Sequence, residues 1–287
     1  MTMSTPSTPS VIAPGAALEK LAGEFAFTEG PAADAKGNVY FTDQPNDRIM
    51  LWSIEGKLST FMQPCGRSNG MFFDKAGNLW ACADENNQLW KIGMDKKVAT
   101  LVKADPEGKL LNGPNDVWVH PKNGTSYFTD PLYARPYWKR DPKMQPAGQY
   151  VYFLSGDHKT LKAVATDLVQ PNGIVGTNDG KTLYVADIGD NKTYSYKIEK
   201  DGSLSGKKLH YALGSDGMTL DNEENLYLTG KGVTVVDKSG KLIENIPVPE
   251  GWTANVCFGG RDRKTLFITA SKGLYAIKTR THGVDNQ

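Results

Sequence analysis

The chain has 287 residues, 39% hydrophobic and 23% charged, the balance of an ordinary globular protein. With 33 Lys and Arg against 32 Asp and Glu, and no block of like charge, it lacks the electrostatic footprint of a nucleic-acid or anionic-membrane binder. No run approaches 18 apolar residues, which excludes a membrane-spanning helix.

Residues 1–15 are rich in Ser, Thr and Pro and lack the basic and apolar regions of a secretory signal, so they read as a disordered leader. Residues 16–287 read as one domain. The only apolar stripe of helical period is a turn or two near Ala17–Leu21. Beyond it a repeat takes over. DAKGNVYFTD (34–43) returns as DKAGNLWACAD (74–84), HPKNGTSYFTD (120–130), TNDGKTLYVAD (177–187), DNEENLYLTG (221–230) and GRDRKTLFITA (260–270). Each copy is a turn followed by a strand that alternates aromatic or branched residues with small ones. Further strand-like runs lie between the copies, among them RIMLWSI (48–54), QLWKIG (88–93), KTYSYKI (192–198) and GVTVVD (232–237).

A period of about 40–45 residues with about four strands is that of a propeller blade. Six copies therefore predict an all-β, six-bladed β-propeller with a central channel. GLYAIKT (273–279) is expected to pair with N-terminal chain and close the ring, because closure removes exposed sheet edges. Residues 131–149, PLYARPYWKRDPKMQPAGQ, are too irregular for a blade strand and read as an insertion, a candidate lid over the channel mouth. Cys65, Cys82 and Cys257 are odd in number and form no C-x-x-C. They predict buried free thiols and a cytoplasmic setting, or a periplasmic one had a signal been removed ahead of this chain.

Five or six residues ahead of each turn stands a side chain bearing an oxygen: Glu29, Asn69, Asn115, Asn172, Asp216 and Asn255. Four of the six precede a glycine. Matched positions in a propeller are related by rotation about its axis, so these side chains are expected to ring the channel. Two carboxylates converging there repel each other and call for a cation. Carboxylate and carboxamide oxygens without His or Cys suit Ca²⁺ first, then Mg²⁺ or Mn²⁺. The competing reading is a water-filled, hydrogen-bonded polar plug. On the metal reading Glu29 is a ligand with Asn172 and Asp216, and Asn115 binds directly or through water. Asn69 and Asn255 contact substrate or cap strands.

FTEGPAADAKGNVYFTD, GRSNGMFFDKAGNLWAC, GPNDVWVHPKNGTSYFTDP, QPNGIVGTNDGKTLYVAD, SDGMTLDNEENLYLTG and NVCFGGRDRKTLFITAS together resemble the gluconolactonase/regucalcin (senescence-marker protein, LRE-like) family of six-bladed propellers. The likeness covers roughly residues 22–279 and is nearest the bacterial gluconolactonase branch, through NDVWV, YFTDP and NVCFGG. It implies a divalent metal, usually Ca²⁺, held by Glu29, Asn172 and Asp216, with Asn115 as ligand or substrate contact. It also implies hydrolysis of sugar lactones, with Mg²⁺, Mn²⁺ or Zn²⁺ as alternatives in turnover. The chain departs from the family twice. Gly113 and Pro114 stand where the regucalcin branch has an Arg, and ACADENNQLWKI replaces a stretch that often contains His.

The chemistry expected is metal polarisation of the lactone carbonyl and attack by water. Asp216 is ligand, base or both, and Asn115 and Asn172 are amide donors to the oxyanion. Arg67, Tyr133, Trp138 and Asp130 are candidate substrate contacts. Against that, Arg67 reads as an exposed loop arginine, Tyr133 and Trp138 as packing of the insert, and Asp130 as a turn cap. No G-x-S-x-G elbow exists, and His120, His158, His210 and His282 lack zinc-ligand spacing and read as surface residues. The expected partner is a small sugar lactone, with no nucleic acid and no membrane, acting on a monomer or weak dimer. The alternatives are a non-enzymatic binding propeller with a structural Ca²⁺, and a propeller hydrolase of organophosphates or aryl esters.

Overall fold

The computed structural model describes residues 8–284. The chain is a six-bladed β-propeller whose described strands form six four-stranded antiparallel sheets. The inner strands are Thr28–Ala33, Met71–Phe73, Val117–Val119, Pro171–Gly176, Met218–Leu220 and Thr253–Gly259. They are buried almost throughout, whereas outer strands such as Leu58–Met62 and Leu204–Tyr211 turn one face to solvent. Aromatic and branched residues of the middle strands fill the space between adjacent blades. Together with inner-strand residues they form clusters such as Trp118, Tyr127, Leu183, Val185, Leu220 and Leu226, which spans blades three to five. No helix among the described residues is long and apolar enough to cross a membrane.

Ring closure follows the expected route. Gly273–Lys278 pairs with Glu19–Ala22, which supplies the outer strand of the sixth blade. This strand lies where the sequence suggested a helical turn at Ala17–Leu21. So short a stripe cannot repay helix nucleation, and pairing of Glu19 with Ala276 and Lys20 with Tyr275 wins. The leader also departs from expectation. Residues 1–7 lie outside the described residues, but 8–15 are packed rather than disordered. Val11 is fully buried, its N–H donates to Glu244 Oε1 at 2.7 Å, and Ile12 bridges to Thr279. The cysteines are buried free thiols. His120 is buried rather than superficial: its Nδ1 accepts from Lys122 N–H at 3.1 Å and its Nε2 meets Gly180 O at 3.2 Å.

Two repeated devices hold the inner strands in place. At the end of the second strand in blades one, three and four, an aspartate accepts two backbone N–H groups from the loop leading into the inner strand. Asp43 takes Ala26 and Phe27, Asp130 takes Asn112 and Gly113, and Asp187 takes Val169 and Gln170, all at 2.9–3.2 Å. A threonine beside it reaches the neighbouring blade: Thr42 Oγ1 donates to Asn69 O at 3.1 Å and Thr129 Oγ1 to Asn172 O at 2.6 Å. The F-T-D of the repeat is thus a clamp and a strut.

Candidate active site

Glu29, Asn69, Asn115, Asn172, Asp216 and Asn255 all stand at the same end of their inner strands. The glycines that follow four of them explain how closely those ends approach. A Cβ on Gly30, at φ +42°, would lie 2.0 Å from Asn69 O, and one on Gly217 would lie 1.9 Å from Asn255 Oδ1. Hydrogen bonds cross seams of this kind, Gly70 N–H to Asn115 O at 2.7 Å between blades two and three and Gly217 N–H to Ala254 O at 2.8 Å between blades five and six.

The ring is covered and short of donors. Glu29 is 1% exposed, Asn69, Asn115 and Asn172 are 3% and Asn255 is 4%, while Asp216 is half-buried. Both Glu29 carboxyl oxygens and the Oδ1 atoms of Asn69, Asn115 and Asn172 are buried with no hydrogen-bond partner among the described residues. Burial pushes the Glu29 carboxyl well above its ordinary range, and repulsion from Asp216 and Asp116 adds to it. Burial also raises Asp216, to about 6, against the opposing pull of the Trp252 Nε1–H, 2.7 Å from its Oδ2, and of Arg135. Five unpaired oxygens, one pair of them a carboxylate, carry a desolvation cost that a cation removes. Among the described residues no three His, Cys, Asp or Glu side chains cluster as a metal site. The fit to a hard cation therefore rests on the amide oxygens, the donor type that Ca²⁺ and Mg²⁺ accept. Asn172 shows this directly: its Nδ2 donates to Tyr133 Oη at 2.7 Å, which leaves Oδ1 for the ring. That orientation suits a cation ligand, and the second N–H of Nδ2 remains available as a donor.

Asp116 was missed in the sequence. It is buried, its Oδ1 accepts its neighbour Val117 N–H, and its Oδ2 accepts from Asn255 Nδ2 at 3.3 Å. Blades three and six thus meet across the channel, one residue along from Asn115. The signal lay in the repeat, because Asp116 takes the slot that four blades give to glycine.

The insertion 131–149 lies over this end of the channel, and its anchor is Asp84. This carboxylate accepts from Arg135 Nε at 3.1 Å and Gln44 Nε2 at 3.0 Å, and Arg140 Nη2 lies 3.4 Å away. Arg140 also donates to Asn112 O at 3.0 Å and Asn87 Oδ1 at 3.2 Å while stacking on Trp138. Burial raises Asp84, opposed by the two arginines. Arg67 stacks on Tyr137 and pairs with Glu85. The structure therefore brings Tyr133 to the ring and assigns Arg67 and Trp138 to the anchorage of the insert. Asp130 is fully buried with both oxygens clamped on backbone, and its carboxyl is raised to about 7 by burial.

Residues 27–272 match the family model described as the SMP-30/Gluconolactonase/LRE-like region. The chain belongs to this family. It is 26% identical to a gluconolactonase of Zymomonas mobilis, over 93% of this chain and 82% of that protein. It is also 27% identical to a solved Xanthomonas campestris gluconolactonase, over 96% and 98% of the two chains, with a TM-score of 0.82. A regucalcin of Xenopus laevis is 26% identical over 85% of this chain and 82% of its own. The SMP-30/gluconolactonase/LRE-like match leaves out residues 1–26 and 273–287, which hold the two strands that close the ring.

Proposed function

We propose that this family member is a divalent-metal-dependent lactonase that opens sugar lactones of the gluconolactone class. The observation that carries the reading is the set of unpaired buried oxygens on Glu29, Asn69, Asn115 and Asn172 beside Asp216. The gluconolactonase relatives support the reaction class.

Glu29, Asn172 and Asp216 would hold the ion, with Asn115 beside them; bound there, it acts as a Lewis acid on the lactone carbonyl. The chain's own groups do the rest. Trp252 Nε1–H fixes Asp216 Oδ2, so Oδ1 is the atom that takes a proton from the attacking water. The water oxygen adds to the carbonyl carbon, the ring C–O bond breaks, and that proton passes to the departing ring oxygen, which leaves as a hydroxyl. Asn115 supplies the amide nearest the developing oxyanion. Tyr133 holds Asn172 in its ligand pose, and the Asp116–Asn255 bond stiffens the ring from the far side.

The test strips the protein of metal and follows acid release from glucono-δ-lactone, with and without Ca²⁺, Mg²⁺, Mn²⁺ or Zn²⁺, while bound metal is counted. Glu29→Gln and Asp216→Asn are expected to lose the metal and at least ~100-fold in turnover while staying folded. Turnover indifferent to chelation would overturn the metal's role. One observation favours a second reading, a structural ion in a binding propeller: five of the six ring side chains are almost sealed. Full metal occupancy with no turnover of any sugar lactone would select it.

A further inference from the structure

Arg135 belongs to the part of the insertion that reaches the ring through Tyr133. Its guanidinium sits 5.0 Å from the centre of the Tyr133 ring, and Tyr133 in turn receives the Asn172 amide. A backbone bridge between Arg135 and Trp138 fixes the turn that carries it. Of its five N–H donors, only Nε is engaged, on Asp84; among the described residues the two Nη atoms meet no acceptor. The side chain is 21% exposed, so the fork is open on one side. Asp84 has other donors in Arg140 and Gln44. With Asp84 so provided for, Arg135 keeps a preorganised, unspent fork at the mouth of the ring.

We propose that Arg135 is a specificity-determining residue that receives an anionic substituent of the substrate, so that the preferred lactone carries a carboxylate or phosphate away from its ring carbonyl. This rests on the lactonase reading. Planar, paired N–H groups match the oxygens of such an anion in a way that a lysine ammonium does not. The alternative is that Arg135 only latches the insertion to Asp84. A latch acts on every substrate alike, whereas an anion receiver acts on charged ones.

The experiment compares metal-loaded wild type, Arg135→Gln and Arg135→Lys on three lactones. These are glucono-δ-lactone, its 6-phosphate, and a sugar lactone with a C6 carboxylate. The expected result is a wild-type kcat/KM at least about tenfold higher for an anionic lactone than for the neutral one. Arg135→Gln should then lose about 10- to 100-fold on the anionic lactone, mostly in KM, and much less on the neutral one. Arg135→Lys should restore part of the loss. Equal losses on all three, or a wild type with no preference for charge, would overturn the proposal. If wild type turns over none of them, the lactonase reading fails, and calorimetry on the same proteins decides the anion site separately. Tighter binding of 6-phosphogluconate than of gluconate that disappears in Arg135→Gln upholds it, and a preference unchanged by the substitution ends it.

Discussion

Asp84 and Asp130 hold the same register in adjacent blades, each just past the end of its second strand, yet they serve different parts of the molecule. Asp130, like Asp187, spends both oxygens on the backbone entering its own inner strand, and Asp43 spends one there and the other on Arg48 and Asn46. Asp84 spends its own on the side chains of the insertion and on Gln44. Blade two can spare it because Asp47, from the blade before, accepts Cys65 N–H at 2.9 Å and Arg67 N–H at 2.7 Å. A duplicated blade therefore copies a carboxylate's position but not its partner. Once a neighbour took over the clamp, that carboxylate became available to anchor a loop over the channel.

Breaking the clamp should cost the most. Asp130→Ala leaves two buried N–H groups unpaired, and a loss of about 2–5 kcal/mol in urea unfolding is expected, with weaker metal binding as Asn115 drifts. A loss below about 1 kcal/mol would dissolve the distinction between the two aspartates.

Titration sharpens the same contrast. Asp130 is raised to about 7 in the folded state and is ordinary when unfolded, so the folded state holds the extra proton between about pH 4 and 7. Its contribution is complete below about pH 4 and is lost as pH rises through about 7. The stability cost of Asp130→Asn relative to wild type should therefore shrink across that window, by on the order of 3 kcal/mol. Asp84, opposed by two arginines, should show a shallower trend in Asp84→Asn.

Asp84→Asn itself is expected to lower global stability by only about 1–2 kcal/mol, since Arg135 is part-exposed and Arg140 keeps Asn112 O and Asn87 Oδ1. The insertion should feel it far more: trypsin cleavage after Lys139 or Lys143 should accelerate at least ~10-fold, because local opening is cheaper than global unfolding. If Asp84→Asn unfolds the whole protein as readily as Asp130→Ala, Asp84 is a blade clamp after all. The smallest change is Arg67→Ala. Its pair with Glu85 is part-exposed, so an effect under about 1 kcal/mol, with cleavage of the insertion within about threefold of wild type, is expected.

The blades were legible because turn chemistry and strand alternation recur with every copy, and the ring was legible because it repeats at one phase. What repetition could not show is what occurs once. Asp116 stands in a glycine's slot, Arg135 lies in an insertion without a counterpart, and Trp252 reaches Asp216 from the loop of the neighbouring blade. The role of Asp84 was hidden for the opposite reason, since it looked like its three equivalents. The helical turn near Ala17–Leu21 and the loose leader were misread because both are settled by distant partners. Glu19–Ala22 needs Gly273–Lys278, and Val11 needs Glu244.

That closing pair also sets a timetable. Glu29 belongs to the first inner strand and Asn255 to the last, and those strands become neighbours only when the sixth blade is seated. Thr28 N–H then meets Ser271 O at 2.8 Å and its hydroxyl meets Gly273 O at 2.8 Å. During synthesis the earlier blades can stack one on the next, but the ring of oxygens stays open on one side until almost the whole chain has left the ribosome. If the ring holds the proposed ion, a chain stalled before Gly273 should bind none, and ion capture would report that the circle had closed.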